Sequence, residues 1–316
     1  MTANEDPVLG TCTIEAPPTH PARGGGAPHP EARLAGERRT GAVARGFAGA
    51  HPDDVHIWPL RLDLAPDARG RLETFLSVDE RARARRFLHA RDRNRYECAH
   101  GLLRLVLSVY TGGRPEDVAF ERGPGGKPRL VGLRGPRFSL SHSDGLGLVA
   151  VSAGREVGVD VERVRGVSAV ADLARTCFSP AERSALAAVR APLRLRAFFA
   201  GWTRKEAFLK AVGAGLSRPL DSFDVALAPG EPARLLRVRG APGATERWAL
   251  RSLRVAPGYV AAVAAVGAHV AIRWQPWEML AALVEAADGA ARARGCDPEE
   301  LSGRVRGGAA GHSARA

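Results

Sequence analysis

Val157-Gly-Val-Asp-Val-Glu-Arg-Val164 alternates in the manner of a half-buried strand, and Val55-His-Ile-Trp-Pro-Leu-Arg-Leu62 has a similar strand pattern 102 residues earlier. The interval recurs. Ser77-Val-Asp-Glu80-Arg81 and Ser179-Pro-Ala-Glu182-Arg183 are both capping boxes, in which a serine hydroxyl and a carboxylate three residues on satisfy each other's orphan amides, so each opens a helix. Beyond each box the pattern predicts a second helix (Tyr96 to Val109; Trp202 to Val212) and a strand ending in a Gly/Pro turn (Val118 to Gly123; Phe223 to Gly230). A final hairpin follows in each, Phe138 to Ser152 through Asp144-Gly145 and Trp248 to Val266 through Pro257-Gly258. The expected fold class is α+β: two similar α/β halves about a pseudo-twofold axis, with a cleft between them where a site can form.

The expected organisation is an N-terminal half over 51–155 and a C-terminal half over 156–275. Residues 1–50, rich in Ala, Gly, Pro and Arg with little periodicity, read as a disordered extension or a mis-assigned start. Residues 276–316 read as an amphipathic helix, Trp277 to Arg294, and a tail that should fray.

With 45% hydrophobic residues, a chain of 316 can bury a substantial core. Its longest apolar run, Tyr259 to Ala268, falls well short of the roughly 20 residues that span a bilayer, so no membrane segment is expected. The acidic start has no apolar stretch of the secretory kind, and Cys12, Cys98, Cys177 and Cys296 show no CxxC pairing. The expected compartment is a reducing cytoplasm. A formal charge of +12 fits nucleic acid, a phosphorylated cofactor or an acidic protein as partner, or arginine spread over a solvated surface. Nucleic-acid binding would call for aromatic residues on a basic face or a groove-reading helix; with 6% aromatic residues in mostly apolar patterns, neither is evident.

Of 46 basic residues only three are lysine: Lys127 in Gly126-Lys127-Pro128, and Lys205 and Lys210 in Trp202-Thr-Arg-Lys-Glu-Ala-Phe-Leu-Lys210. In a chain so biased to arginine, these are positions where a compact ammonium matters. Asp160 and Glu162 fall on one face of their strand, and Glu206 and Lys210 share a helix face one turn apart. The carboxylates can pair with Arg163 and Arg165 on a wet surface, or converge on a divalent cation such as Mg²⁺, whose hard oxygen ligands include substrate phosphates. Phe138-Ser-Leu-Ser-His-Ser143 offers hydroxyl and imidazole donors suited to a phosphate, although His142 also reads as a structural histidine.

Taken in order, Gly126-Lys127-Pro128, Phe138-Ser-Leu-Ser141-His142-Ser143, Gly158-Val-Asp160-Val-Glu162, Phe178-Ser-Pro-Ala-Glu182 and Trp202-Thr-Arg-Lys205-Glu206-Ala-Phe-Leu-Lys210 resemble the motif series of Sfp-type 4′-phosphopantetheinyl transferases. Gly215-Leu216, Leu220-Asp-Ser-Phe223 and Pro257-Gly-Tyr259 continue the likeness, which covers roughly residues 55–273. It implies an enzyme that moves the 4′-phosphopantetheine arm of coenzyme A to a serine of an apo carrier protein and releases adenosine 3′,5′-bisphosphate. By the same resemblance Asp160, Glu162 and Glu206 hold Mg²⁺, and Glu206 with Lys210 carries the chemistry. Arg83, Arg86, Arg95, Lys127, Ser141, His142, Lys205 and Lys210 are expected on coenzyme A; in the helix of Arg83 and Arg86, relatives often carry lysine. Acidic acyl or peptidyl carrier domains of polyketide synthases or non-ribosomal peptide synthetases are the expected partners, and the fused pseudo-dimer the expected monomer. The alternatives are an inactive scaffold that binds coenzyme A or carrier proteins, and a basic nucleic-acid-binding protein.

Overall fold

The computed structural model describes residues 51–132, 136–167, 170–213 and 218–292. The first half runs β1 (Asp54–Arg61), α1 (Pro66–Thr74), α2 (Val78–Ala84), α3 (Ala90–Thr111), β2 (Phe120–Arg122), β3 (Pro128–Leu130), β4 (Arg137–Ser143) and β5 (Leu146–Ser152). The second repeats that order as β6 (Val157–Arg163), α4 (Val170–Cys177), α5 (Pro180–Ala188), α6 (Ala191–Val212), β7 (Phe223–Val225), β8 (Leu235–Val238), β9 (Trp248–Leu253) and β10 (Tyr259–Val266), with a one-turn helix (Ala244–Arg247) added before β9. Both long helices, α3 and α6, have 22 residues and stop at a left-handed glycine, Gly112 (φ 66°) and Gly213 (φ 74°).

Strand order matches too. The first half contributes β1-β5-β4 and the second β6-β10-β9, each antiparallel throughout. Trp58 lies opposite Val149 as Asp160 lies opposite Ala262, and Leu60 opposite Gly147 as Glu162 lies opposite Val260. One face of the first sheet sends Trp58 and Leu60 into a core with Leu102 and Val106 of α3. The alternate residues, Val55 and Ile57, join Leu148, Val157, Val159, Val161 and Val263 in a core shared by the two halves. Each such side chain contributes about 1.5–3 kcal/mol when fully buried, so this seam holds the halves together.

The last two elements pack against the first half. β11 (Ala271–Trp274) pairs in parallel with β1, placing Ile272 opposite Val55, so residues grouped by sequence with the C-terminal half sit on the N-terminal sheet. The final helix, α7 (Trp277–Arg292), then buries Leu280 and Val284 in the first core. Residues 1–50 and 293–316, with Cys12, Cys296 and Gly215-Leu216, lie outside the described residues. Cys98 and Cys177 are buried and unpaired, and among the described residues no helix is long and apolar enough to cross a membrane.

Both capping boxes form, and each carboxylate has a further task. Glu80 accepts from Arg104 Nε at 2.8 Å and from His100 Nδ1 at 3.1 Å. Burial alone would raise its carboxyl, but His100, Arg104 and the Ser77 amide outweigh it and bring the pKa down to about 2. A depressed acid stabilises the fold above its unfolded value of 4.5 and loses that contribution as pH falls toward 2. Glu80→Gln is therefore expected to cost about 3 kcal/mol at neutral pH, with the gap from the parent closing toward pH 2 in urea titrations.

Candidate active site

β4 and β6 run side by side without a backbone ladder, and serine side chains stitch them. The amides of Val159, Val161 and Arg163 donate to the hydroxyls of Ser139, Ser141 and Ser143 at 3.1, 3.3 and 3.2 Å. The period-two serines thus satisfy the edge amides of β6. Two of them turn their own protons onto acids: Ser141 donates to Asp160 Oδ1 and Ser143 to Glu162 Oε2, each at 2.8 Å.

Helix α6 lies directly on β6 because Gly158 has no side chain. A Cβ there would overlap the carbonyl oxygen of Ala207 and the backbone nitrogen of Ala211, and backbone atoms cannot turn aside. The close approach brings Glu206 and Lys210 over Asp160 and Glu162. Gly158→Ala is expected to cost about 2–3 kcal/mol in chemical denaturation, because the helix must lift from the strand.

The acids lie on the face predicted for them. Asp160 is 2% exposed, and its Oδ1 receives Lys210 Nζ at 2.6 Å while its buried Oδ2 has no hydrogen-bond partner among the described residues. Lys210 also donates to Ser141 Oγ at 3.0 Å. Glu206 is 6% exposed. Burial, and then the charge of Asp160, pushes both Glu206 and Glu162 up to about 7. Burial also raises Asp160, against the pull of Lys210 and Ser141. Lys210 moves upward in turn, since Asp160 and Glu206 outweigh its own burial. Three acids facing one ammonium leave an excess of negative charge in a dry place.

Among the described residues no group of three His, Cys, Asp or Glu side chains forms a ready-made metal cage. Asp160 Oδ2 nevertheless offers an unused buried oxygen beside two carboxyls disfavoured as anions, and that donor set suits a hard divalent cation. On the first half, a cavity of about 740 Å³ is lined by Arg83, Arg86, Arg122, Tyr96 and Phe120 together with the acids Asp79, Glu80, Glu116 and Asp117. Arg83 lies over the Tyr96 ring, 5.8 Å from its centroid. His142 Nε2 is buried and lacks a partner.

A family model described as the 4′-phosphopantetheinyl transferase superfamily matches residues 156–264. The 4′-phosphopantetheinyl transferase HetI of Nostoc sp. is 39% identical over 228 residues, covering 71% of this chain and 91% of that protein. The chain belongs to the 4′-phosphopantetheinyl transferase superfamily. The 4′-phosphopantetheinyl transferase Sfp of Bacillus subtilis is 31% identical over 214 residues, covering 67% of this chain and 92% of Sfp. The family's enzymes transfer phosphopantetheine from coenzyme A to carrier proteins.

Several residues expected on coenzyme A have other occupations in this transferase. Lys205 is 0% exposed, with Nζ held by Glu182 at 2.8 Å and by the carbonyl oxygens of Leu220 and Phe223 at 2.7 and 2.6 Å. These contacts set its ammonium in the core of the second half. Lys127 Nζ donates to Glu156 at 2.8 Å and to the carbonyl oxygens of Val157 and Ala211 at 2.8 and 3.1 Å, tying its turn to the start of β6 and the end of α6. Arg95 is held by Asp63 at 2.8 Å and Asp144 at 3.2 Å. The hydroxyl of Ser141 is committed to Asp160, Val161 and Lys210. All three are thus engaged by protein partners, whereas Arg83 and Arg86 line the large cavity. Sequence reasoning gave Glu156 and Tyr96 no role and read the Ser143 hydroxyl as a donor to phosphate, whereas here it donates to Glu162.

Proposed function

We propose that this transferase moves the phosphopantetheine of coenzyme A to a serine of acyl or peptidyl carrier domains of polyketide synthases or non-ribosomal peptide synthetases, with Mg²⁺, releasing adenosine 3′,5′-bisphosphate. The observation that carries the metal dependence is the buried, unpartnered Oδ2 of Asp160 beside Glu162 and Glu206. Asp160, Glu162 and Glu206 would hold the cation, which supplies charge neutralisation at the pyrophosphate when bound. Lys210 holds a pyrophosphate oxygen. Glu206 takes the proton of the acceptor serine, whose oxygen bonds the β-phosphorus as the bond to the departing nucleotide phosphate breaks. Arg83 and Arg86 bind nucleotide phosphates in the large cavity, and the imidazole of His142 donates to coenzyme A.

A net charge of +12 favours encounter with a polyanionic cofactor and acidic carriers. This reading has the chain acting as a cytoplasmic monomer, each half supplying one side of the cleft. Its test is intact-protein mass spectrometry of apo carrier domains incubated with the transferase, coenzyme A and Mg²⁺. A mass gain of one phosphopantetheine, lost in EDTA and restored by Mg²⁺, is expected. Transfer that persists in EDTA would remove the metal; transfer to fatty-acid carriers alone would remove the assigned partners.

A further inference from the structure

A second cleft, of about 210 Å³, opens along α6, and its lining includes none of Asp160, Glu162, Glu206 and Lys210. Ala197 and Ala200 form one wall, and Leu227, Leu253 and Val260 the other. Among the described residues two cations reach it, Arg196 and Arg204, and no acid lines it.

Arg204 is the unusual member. It is 6% exposed, yet among the described residues no carboxylate bonds it. Nη1 donates to the carbonyl oxygen of Ala226 and Nη2 to Ser252 Oγ at 3.1 Å, while Nε has no acceptor. Glu231 acts on it only at longer range and is itself taken by Arg234 at 2.8 Å. The buried arginine of the first half, Arg104, shows the ordinary solution, with Glu80 on its Nε at 2.8 Å. A guanidinium removed from water without a counter-ion is costly, and an anion entering the cleft would offset that cost. Arg196 is exposed, and among the described residues it makes no ion pair.

We propose that this cleft binds a small carboxylate with a short apolar body: Arg204 and Arg196 take the anion, and Leu227, Leu253 and Val260 enclose the body. The volume is below the roughly 300–1,000 Å³ of pockets for drug-sized ligands, so the ligand has few atoms. A planar guanidinium pairs well with a planar carboxylate, and walls this apolar suit a monoanion better than a strongly hydrated phosphate.

The probes are hexanoate and its neutral analogue 1-hexanol, titrated into the full chain by calorimetry and followed by thermal melts. Hexanoate is expected to bind saturably and raise Tm by about 2–4 °C, and 1-hexanol to do neither. Ala200→Leu, which fills the cleft and retains both arginines, should abolish the effect, and Arg204→Gln should weaken binding by about tenfold or more. Equal binding of the alcohol would overturn the proposal, as would undiminished hexanoate binding in Ala200→Leu, or no saturable binding at all. If Arg204→Gln does not fold, Arg196→Gln takes its place, and binding by that variant as tight as the parent's counts against the site.

Discussion

Replacing Glu206 by glutamine is expected to slow carrier modification about 10³-fold while raising the thermal stability of the metal-free protein. The two effects share one origin. The Glu206 carboxyl is 6% exposed, and burial with the charge of Asp160 pushes it up to about 7. Glutamine keeps its shape and removes the repulsion, so the fold gains. The reaction loses the group assigned to take the serine proton and one of three acids assigned to the cation. Mass-spectrometric transfer rates and melts with EDTA measure both. Transfer at the parent rate would remove Glu206 from the chemistry and leave Glu162, the other carboxyl pushed up to about 7, as the proton acceptor.

The largest loss of stability is expected from Lys205→Met. The ammonium lies between Glu182 and two carbonyl oxygens and 4.3 Å from the centroid of the Phe223 ring, with no exposed surface. Methionine fills most of that volume but leaves the Glu182 carboxylate, 2% exposed, without its counter-charge. Removing one partner of such a buried pair costs about 3–5 kcal/mol, and the amides of Ser179 and Val225, which still donate to Glu182, favour the lower end. Urea titration reads the loss, and Glu182→Gln added to Lys205→Met should recover part of it, since the amide removes the buried charge while its oxygen still accepts from one backbone amide. A different pattern, unchanged stability with weakened coenzyme A binding, would return Lys205 to the cofactor.

The scarcity of lysine pointed to positions where a compact ammonium matters, and the structure shows a physical reason. Each of the three sits among closely set acceptors: Lys127 with two carbonyls and Glu156, Lys205 with two carbonyls and Glu182, and Lys210 with Ser141 and Asp160. A three-donor ammonium fits such a cage and a flat guanidinium does not. What the sequence could not reveal was whether a cage encloses the ammonium completely, as around Lys205, or lies among the acids, as around Lys210. That difference depends on tertiary packing.

Elements with a strong local signature were legible. The capping boxes, both hairpins and the strand carrying Asp160 and Glu162 occur where the pattern put them. Elements without one were not. Helix α1 buries only Leu72 and contains Gly70, so it has no apolar stripe to read. Helix α6 begins at Ala191 rather than Trp202, since its first turns carry Arg194 and Arg196 instead of a regular apolar face. Strand β11 is four residues long, and its partner β1 lies at the other end of the chain.

The matched registers of β1 and β6 carry a last implication. Where the second half places Asp160 and Glu162, the first places Trp58 and Leu60; with the two glycine caps superposed, Leu105 stands for Glu206. All three replacements are buried and apolar. The two halves thus differ at matching positions, one carrying ionisable residues and the other covering the corresponding face with hydrocarbon. On the proposed function the two similar halves share one turnover centre, and the expected stoichiometry is one acceptor serine engaged per molecule at a time.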